Sequence, residues 1–203
     1  MRSEPSPRLT DELRLWAAAE GDRTVGALSD TFGEKSFAIL FVFLLGPSAL
    51  PLPTGGVTQV LEVIAMLLAL QLVIGRRSVW LPSRWRSVTL AGPTSERFIG
   101  RLLRLIGWLE RRSHPRGRFL FGHRLGNSAF GALVLLGTAG AFVAPPFSML
   151  DTLPALGVVV LSVGVLMEDA VIAAAGAAIG ASGVALVVAL GRAALEGIGS
   201  LGD

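Results

Sequence analysis

Between residues 153 and 190, 38 consecutive residues carry only two charged side chains, Glu168 and Asp169. A straight helix of that length, at about 1.5 Å per residue, would run nearly twice the roughly 30 Å of bilayer hydrocarbon. The segment therefore has to turn, and its two carboxylates place that turn at residues 167–169. Two apolar helices result, one starting near residue 153 and a last span over about residues 170–190.

The same punctuation recurs upstream. Residues 36–50 are apolar, Pro51, Leu52 and Pro53 interrupt them, and Thr54, Gly55 and Gly56 precede a second apolar run over 57–75 that ends at Arg76 and Arg77. Proline has no amide proton and clashes with a continuing helix, so a tight turn joins two helices here. Fifteen residues reach only about 22 Å, which predicts a first helix that is re-entrant or tilted into a protein-lined cavity. A third apolar run begins after Asn127, continues to Ala144 and breaks at Pro145 and Pro146.

An aqueous fold of 203 residues could not clothe this much apolar side chain. The chain is 52% hydrophobic and only 16% charged, with a mean hydropathy of +0.63, and the apolar residues come in runs instead of at amphipathic spacing. Residues 1–35 are polar and hold no signal-peptide core, so cleavage on export is not expected. Within them Thr10 can cap a short amphipathic helix bearing Leu9, Leu13 and Trp16 on one side, suited to lie on the bilayer or on the fold.

Charge is concentrated in the middle. Residues 76–124 hold twelve arginines against two glutamates, Glu96 and Glu110, a local excess of +10 in a chain whose net charge is +3. From about residue 96 to 112, Arg97, Arg101, Arg104, Trp108 and Arg111 recur at helical spacing opposite Ile99, Leu102, Leu103, Ile106 and Leu109. That is the pattern of an interfacial helix whose arginines and tryptophan meet anionic lipid headgroups. Nucleic acid is not an expected partner, because no recognition fold accompanies the charge. The positive-inside tendency places residues 76–124 and the N-terminus in the cytoplasm and the C-terminus outside.

The expected architecture is all-α: a polytopic transmembrane domain over residues 1–203, with two proline-broken helical hairpins, about 8–75 and 125–203, flanking the basic connector 76–124. Landmarks repeat at a separation of 93 residues, Gly33 with Gly126 and Pro53 with Pro146, which makes an internal repeat a candidate. Gly176 and Gly180 stand in GxxxG spacing, which permits close helix approach and suggests a homodimer.

Cysteine is absent and His114 and His123 are the only histidines. Thiolate and histidine metal centres and a Ser/His/Asp hydrolase are therefore not expected, and neither a catalytic role nor a cofactor or metal is predicted. No phosphate-binding loop or dinucleotide fingerprint occurs. The candidate ion or substrate site comprises Glu62, Gln71, Glu168 and Asp169, since carboxylates beside apolar helices are costly unless they meet water, a cation or a positive partner. For Glu168 and Asp169 the plainer expectation is a polar turn paired with Arg76, Arg77 or Arg124. Glu62 shares a face with Thr58, Ala65 and Ala69, whereas Gln71, nine positions on, falls about 180° away. Pro51, Pro53, Pro145 and Pro146 would shape such a site by freeing backbone carbonyls, or would merely turn the chain.

Taken in order, several segments resemble the ExoD family of bacterial exopolysaccharide-synthesis proteins. They are the turn Leu50-Pro51-Leu52-Pro53 with Gly55 and Gly56, the helix end from Ala69 to Arg76, and Trp80-Leu81-Pro82. Downstream follow Pro115-Arg116, Pro145-Pro146, Leu153-Pro154-Ala155 and the acidic turn at Glu168 and Asp169. Where the family tends to carry arginine, aspartate and glycine, this chain has Glu168, Asp169 and Ala170, and His114 stands where another arginine is usual. The resemblance implies an inner-membrane protein linked to exopolysaccharide production, with the synthesis machinery as a partner. Helix breaks add the expectation of a small carrier of an ion, a proton or a lipid-linked group. The rival is a non-transporting scaffold that binds anionic lipid or a synthesis enzyme, and an enzyme acting on lipid-linked sugar ranks third.

Overall fold

The computed structural model describes residues 11, 14, 15, 24–33, 35–50, 57–76, 78–80, 100, 103, 104, 107, 123–144 and 150–199. Among them the chain is helical, with no strand: α1 (Val25–Phe32), α2 (Lys35–Leu45), α3 (Val57–Val73), α4 (Arg124–Val143), α5 (Thr152–Leu166) and α6 (Ala170–Gly199).

The helix α2 is apolar on every side and is accordingly the buried centre. Phe37, Ile39, Phe41 and Leu45 are fully enclosed. Packed around α2 are α3 and α5, and Phe41 meets Phe130 of α4 edge to face at 5.7 Å, a favourable aromatic geometry. The helix is shorter than the apolar run predicts. Gly46 and Pro47 end it, because proline cannot donate to the next helical turn, and residues 46–49 form turns instead. Its helical part reaches about 16 Å.

In α3 the buried positions Thr58, Glu62, Ala65, Leu68, Ala69 and Leu72 follow one helical face, yet the opposite face, with Val60, Val63, Leu67 and Leu70, is just as apolar. The outermost helices carry this further. Buried positions of α6 include Ala173, Gly176, Gly180 and Gly183, while Val171, Leu186, Val188 and Leu190 face outward. Helices α4 and, over Ala170–Ala193, α6 are long and apolar enough to cross a membrane, with only 33% and 28% of their most apolar windows buried. A core helix of a water-soluble protein would be mostly covered, so their large exposed side chains suit an apolar surrounding.

Two ends are defined by the helix directions. At one, α2 begins, α3 ends, α4 begins and α5 turns into α6. Here α3 closes at Gly75 (φ 87), with the Arg76 amide donating to Gln71 O and the Gly75 amide to Leu72 O. The helix α5 closes in the same way at Glu168 (φ 53), with the Asp169 amide donating to Gly164 O and the Glu168 amide to Val165 O. Both are six-to-one, five-to-two C-terminal caps. At the other end lie the residues flanking segments 51–56 and 145–149.

Small residues set the closest approach. A methyl group at Gly157 of α5 would sit 2.2 Å from the amide nitrogen of Gly180, and one at Gly176 would sit 2.2 Å from that of Leu161. The α5–α6 pair is the most extensive helix contact. Gly131 also brings α4 close to α3, though less tightly, since an added methyl would stand 2.9 Å from Val73 N. The short helix α1 lies in the stretch read as polar, started by Thr24, whose hydroxyl accepts from the Ala27 amide at 3.1 Å. Of the N-terminal amphipathic helix only residues 11, 14 and 15 are described, as helical and exposed.

Candidate functional site

Among the described residues, Glu62 is the ionisable side chain most completely enclosed by the bundle. It sits a turn and a half inside α3 and is 1% exposed, a position that a carboxylate occupies only with a polar partner. That partner comes from the turn after α2. The Ser48 hydroxyl, itself 2% exposed, donates to Glu62 Oε1 at 3.0 Å. The third member comes from the other half of the chain: Asp151, immediately before α5, lies close enough for its charge to act on Glu62. Asp151 occupies the N-cap position of α5 without using its side chain as a cap, so its carboxylate is not consumed by the helix terminus. Thr58, one turn before Glu62 on the same face, is buried as well. A buried hydroxyl–carboxylate pair, with the charge of a second carboxylate acting on it, thus lies in the apolar bundle at the end where both proline segments attach. Such a group can hold and release a proton or bind a cation. Among the described residues no three metal-ligating side chains are arranged to hold a metal ion.

The other members of the predicted site lie elsewhere. Gln71 is nine residues along α3, about 14 Å toward the opposite end. Its amide clamps the backbone of Trp80, Nε2 donating to the carbonyl at 3.1 Å and Oε1 accepting from the amide at 2.8 Å. Gln71 therefore pins the chain that leaves α3 and does not line the Glu62 cluster. Glu168 and Asp169 sit at that same far end. Glu168 pairs with Lys35 at 3.6 Å, and Arg77, one of the arginines expected for it, lies outside the described residues. Asp169 Oδ1 accepts from the Val171 amide at 2.9 Å and the Ile172 amide at 3.4 Å, which makes it the N-cap of α6. The four predicted residues are hence divided between two ends of the fold.

Arg104 is exposed and donates to Gly100 O at 3.3 Å, while neighbouring Leu103 packs against the core. Arg97, Arg101, Trp108 and Arg111 lie outside the described residues, as do Pro51, Pro53, Pro145 and Pro146. Gly176 and Gly180 face α5 of the same chain, so self-association would have to use another surface. Ser48 and Asp151 were missed by sequence reading. The signal available for each was a polar residue next to a proline break: Ser48 follows Pro47, and Asp151 precedes the Thr152-Leu153-Pro154 helix start.

A family described as "Exopolysaccharide synthesis, ExoD" matches residues 9–189. An uncharacterized protein of Synechocystis sp. is 33% identical over 143 residues, which cover 70% of this chain and 66% of that protein. Protein ExoD of Rhizobium meliloti is 28% identical over 159 residues, 75% of this chain and 64% of its own length. The chain thus spans a little under two thirds of the curated relatives it matches. No solved structure matches it.

Proposed function

This chain belongs to the ExoD family, which is linked to exopolysaccharide synthesis, and from that premise we propose that it acts as a multi-pass inner-membrane carrier of a proton or small cation. Its residues 76–124 would face the cytoplasm. The observation that carries the reading is the Ser48–Glu62 hydrogen bond, buried within the apolar bundle and neighboured by Asp151. No enzymatic step belongs to it.

Duplication supports the same reading. The caps at Gly75 and Glu168 share one hydrogen-bond pattern and stand 93 residues apart, as do the helix ends Val73 and Leu166. Helix α2 packs on α5 and α3 on α4, the pairing expected of two hairpins exchanged by a two-fold axis along the membrane normal. In that register Asp151 corresponds to Thr58, whereas Glu62 and Ser48 correspond to Ala155 and Ala141. The carboxyl–hydroxyl pair is then a feature of one half only, added to a repeated frame at the end where the helices are interrupted. Re-entrant hairpins at that end would bring the cluster within reach of the external side.

The test is flux in liposomes holding the purified full-length chain, with proton, cation and anion gradients applied in turn. Glu62→Gln and Ser48→Ala abolish or sharply reduce flux in this reading, and Glu168→Gln leaves it intact because Glu168 lies at the far end. Flux that survives Glu62→Gln would sink it. The second reading, a scaffold on anionic lipid or on a synthesis enzyme, is favoured by the inward Leu103 and outward Arg104 of the basic connector. Absence of flux with every ion, together with capture of a synthase or of anionic vesicles, would select it.

A further inference from the structure

Helices α4, α5 and α6 leave a groove of about 550 Å³ between them, inside the range of about 300–1,000 Å³ usual for ligand pockets. Its walls are apolar, among them Leu136, Val158, Leu161, Ala181 and Ala185, and the one charged side chain lining it is Arg192. Arg192 lies beside Ala193, where the apolar span of α6 stops, at the depth where a long basic side chain reaches headgroups. From Gly176 to Arg192 the α6 wall runs sixteen residues, about 24 Å, more than the roughly 15 Å that half a bilayer core provides. Ala181, Ala185 and Ala189 on this wall are exposed, so the groove is open sideways to whatever surrounds the helices.

We propose that this groove is a binding site for one anionic phospholipid, with one acyl chain along the apolar wall and the phosphodiester against Arg192. Charge decides the class. A single guanidinium balances the single charge of a phosphodiester whose headgroup adds no cation, and a guanidinium binds phosphate oxygens in a bidentate fork. The side opening leaves room for the second acyl chain in the bilayer. None of the groove residues belongs to the Glu62 cluster, so the site is independent of the carrier reading.

Native mass spectrometry of the full-length chain in mild detergent tests it, with phosphatidylglycerol and phosphatidylcholine of identical acyl chains added in turn. The intact chain retains one lipid and prefers phosphatidylglycerol about tenfold, the scale of one charge-assisted hydrogen-bonded contact. Arg192→Gln removes the preference but keeps chain binding. Ala181→Phe/Ala185→Phe fills the open side of the groove and removes binding of both lipids, with helix content and elution volume checked to show that it folds. An unchanged preference in Arg192→Gln overturns the site. So does undiminished lipid retention in the filled groove, or a dimer with no retained lipid, which would put a second copy of the chain on this face.

Discussion

At Glu168 the backbone is left-handed, φ 53, a conformation that costs a residue with a side chain about 1–2 kcal/mol. Glycine does the same work at Gly75. The ion pair with Lys35 is half-exposed and long, 3.6 Å, so by itself it returns little of that cost. Glu168→Gly relieves the backbone cost of the cap and gives up the side chain's contacts, so its net effect stays within about 1 kcal/mol, whereas the loss at its neighbour is unopposed. Asp169→Ala removes the acceptor for two orphan amides of α6 and costs about 1 kcal/mol. Unfolding of both variants in detergent micelles, compared with the parent chain, gives the two effects directly. Sequence alone marked the acidic pair as a polar turn between two helices, but not which carboxylate caps the next helix. Apolar flanks make any carboxylate look like a site, and only coordinates separate a cap from a pocket. The same limit hid Ser48 and Asp151, whose approach to Glu62 depends on which helices pack, and it hid the Trp80 partner of Gln71.

Among the helices, what was legible followed from composition and breaks. The runs at 57–75 and 127–144 and the turn at 167–169 became α3, α4 and the α5–α6 junction because apolar residues without proline or glycine pairs have no competing backbone conformation to satisfy in lipid. The short α1 is not legible because its stretch is polar, and α2 is shorter than its apolar run because Gly46-Pro47 breaks it. GxxxG spacing told that α6 approaches something closely. It could not tell that the partner is α5 of the same chain, since a stripe of small residues fits any helix equally. Geometry also separates the two glycines of the motif. A methyl at Gly176 meets Leu161 backbone at 2.2 Å, whereas one at Gly180 has 3.6 Å to the nearest atom, Gly157 Cα. Gly176→Ala should destabilise by about 1–3 kcal/mol through overpacking, and Gly180→Ala should be nearly neutral. Equal losses in micelle unfolding would place the α5–α6 contact elsewhere.

For the whole molecule, alternating helix directions from α2 to α6 put the Lys35–Glu168 end and the Glu62 end on opposite sides. By the positive-inside tendency, the twelve arginines in residues 76–124 would orient the first toward the cytoplasm, as proposed above. The natural absence of cysteine makes single-cysteine labelling unambiguous: Arg104→Cys should react with an impermeant maleimide only after spheroplasts are opened, and Ala193→Cys should react in intact ones. Beneath this orientation, the carrier reading and the lipid groove lies one requirement, that hydrocarbon covers the outward faces of α3, α4 and α6. Washing isolated membranes with alkaline carbonate and following the full-length chain between pellet and supernatant tests that requirement most directly. A chain covered by hydrocarbon on these faces stays in the pellet and leaves it only with detergent. A folded, monomeric chain released into the supernatant without detergent would contradict it.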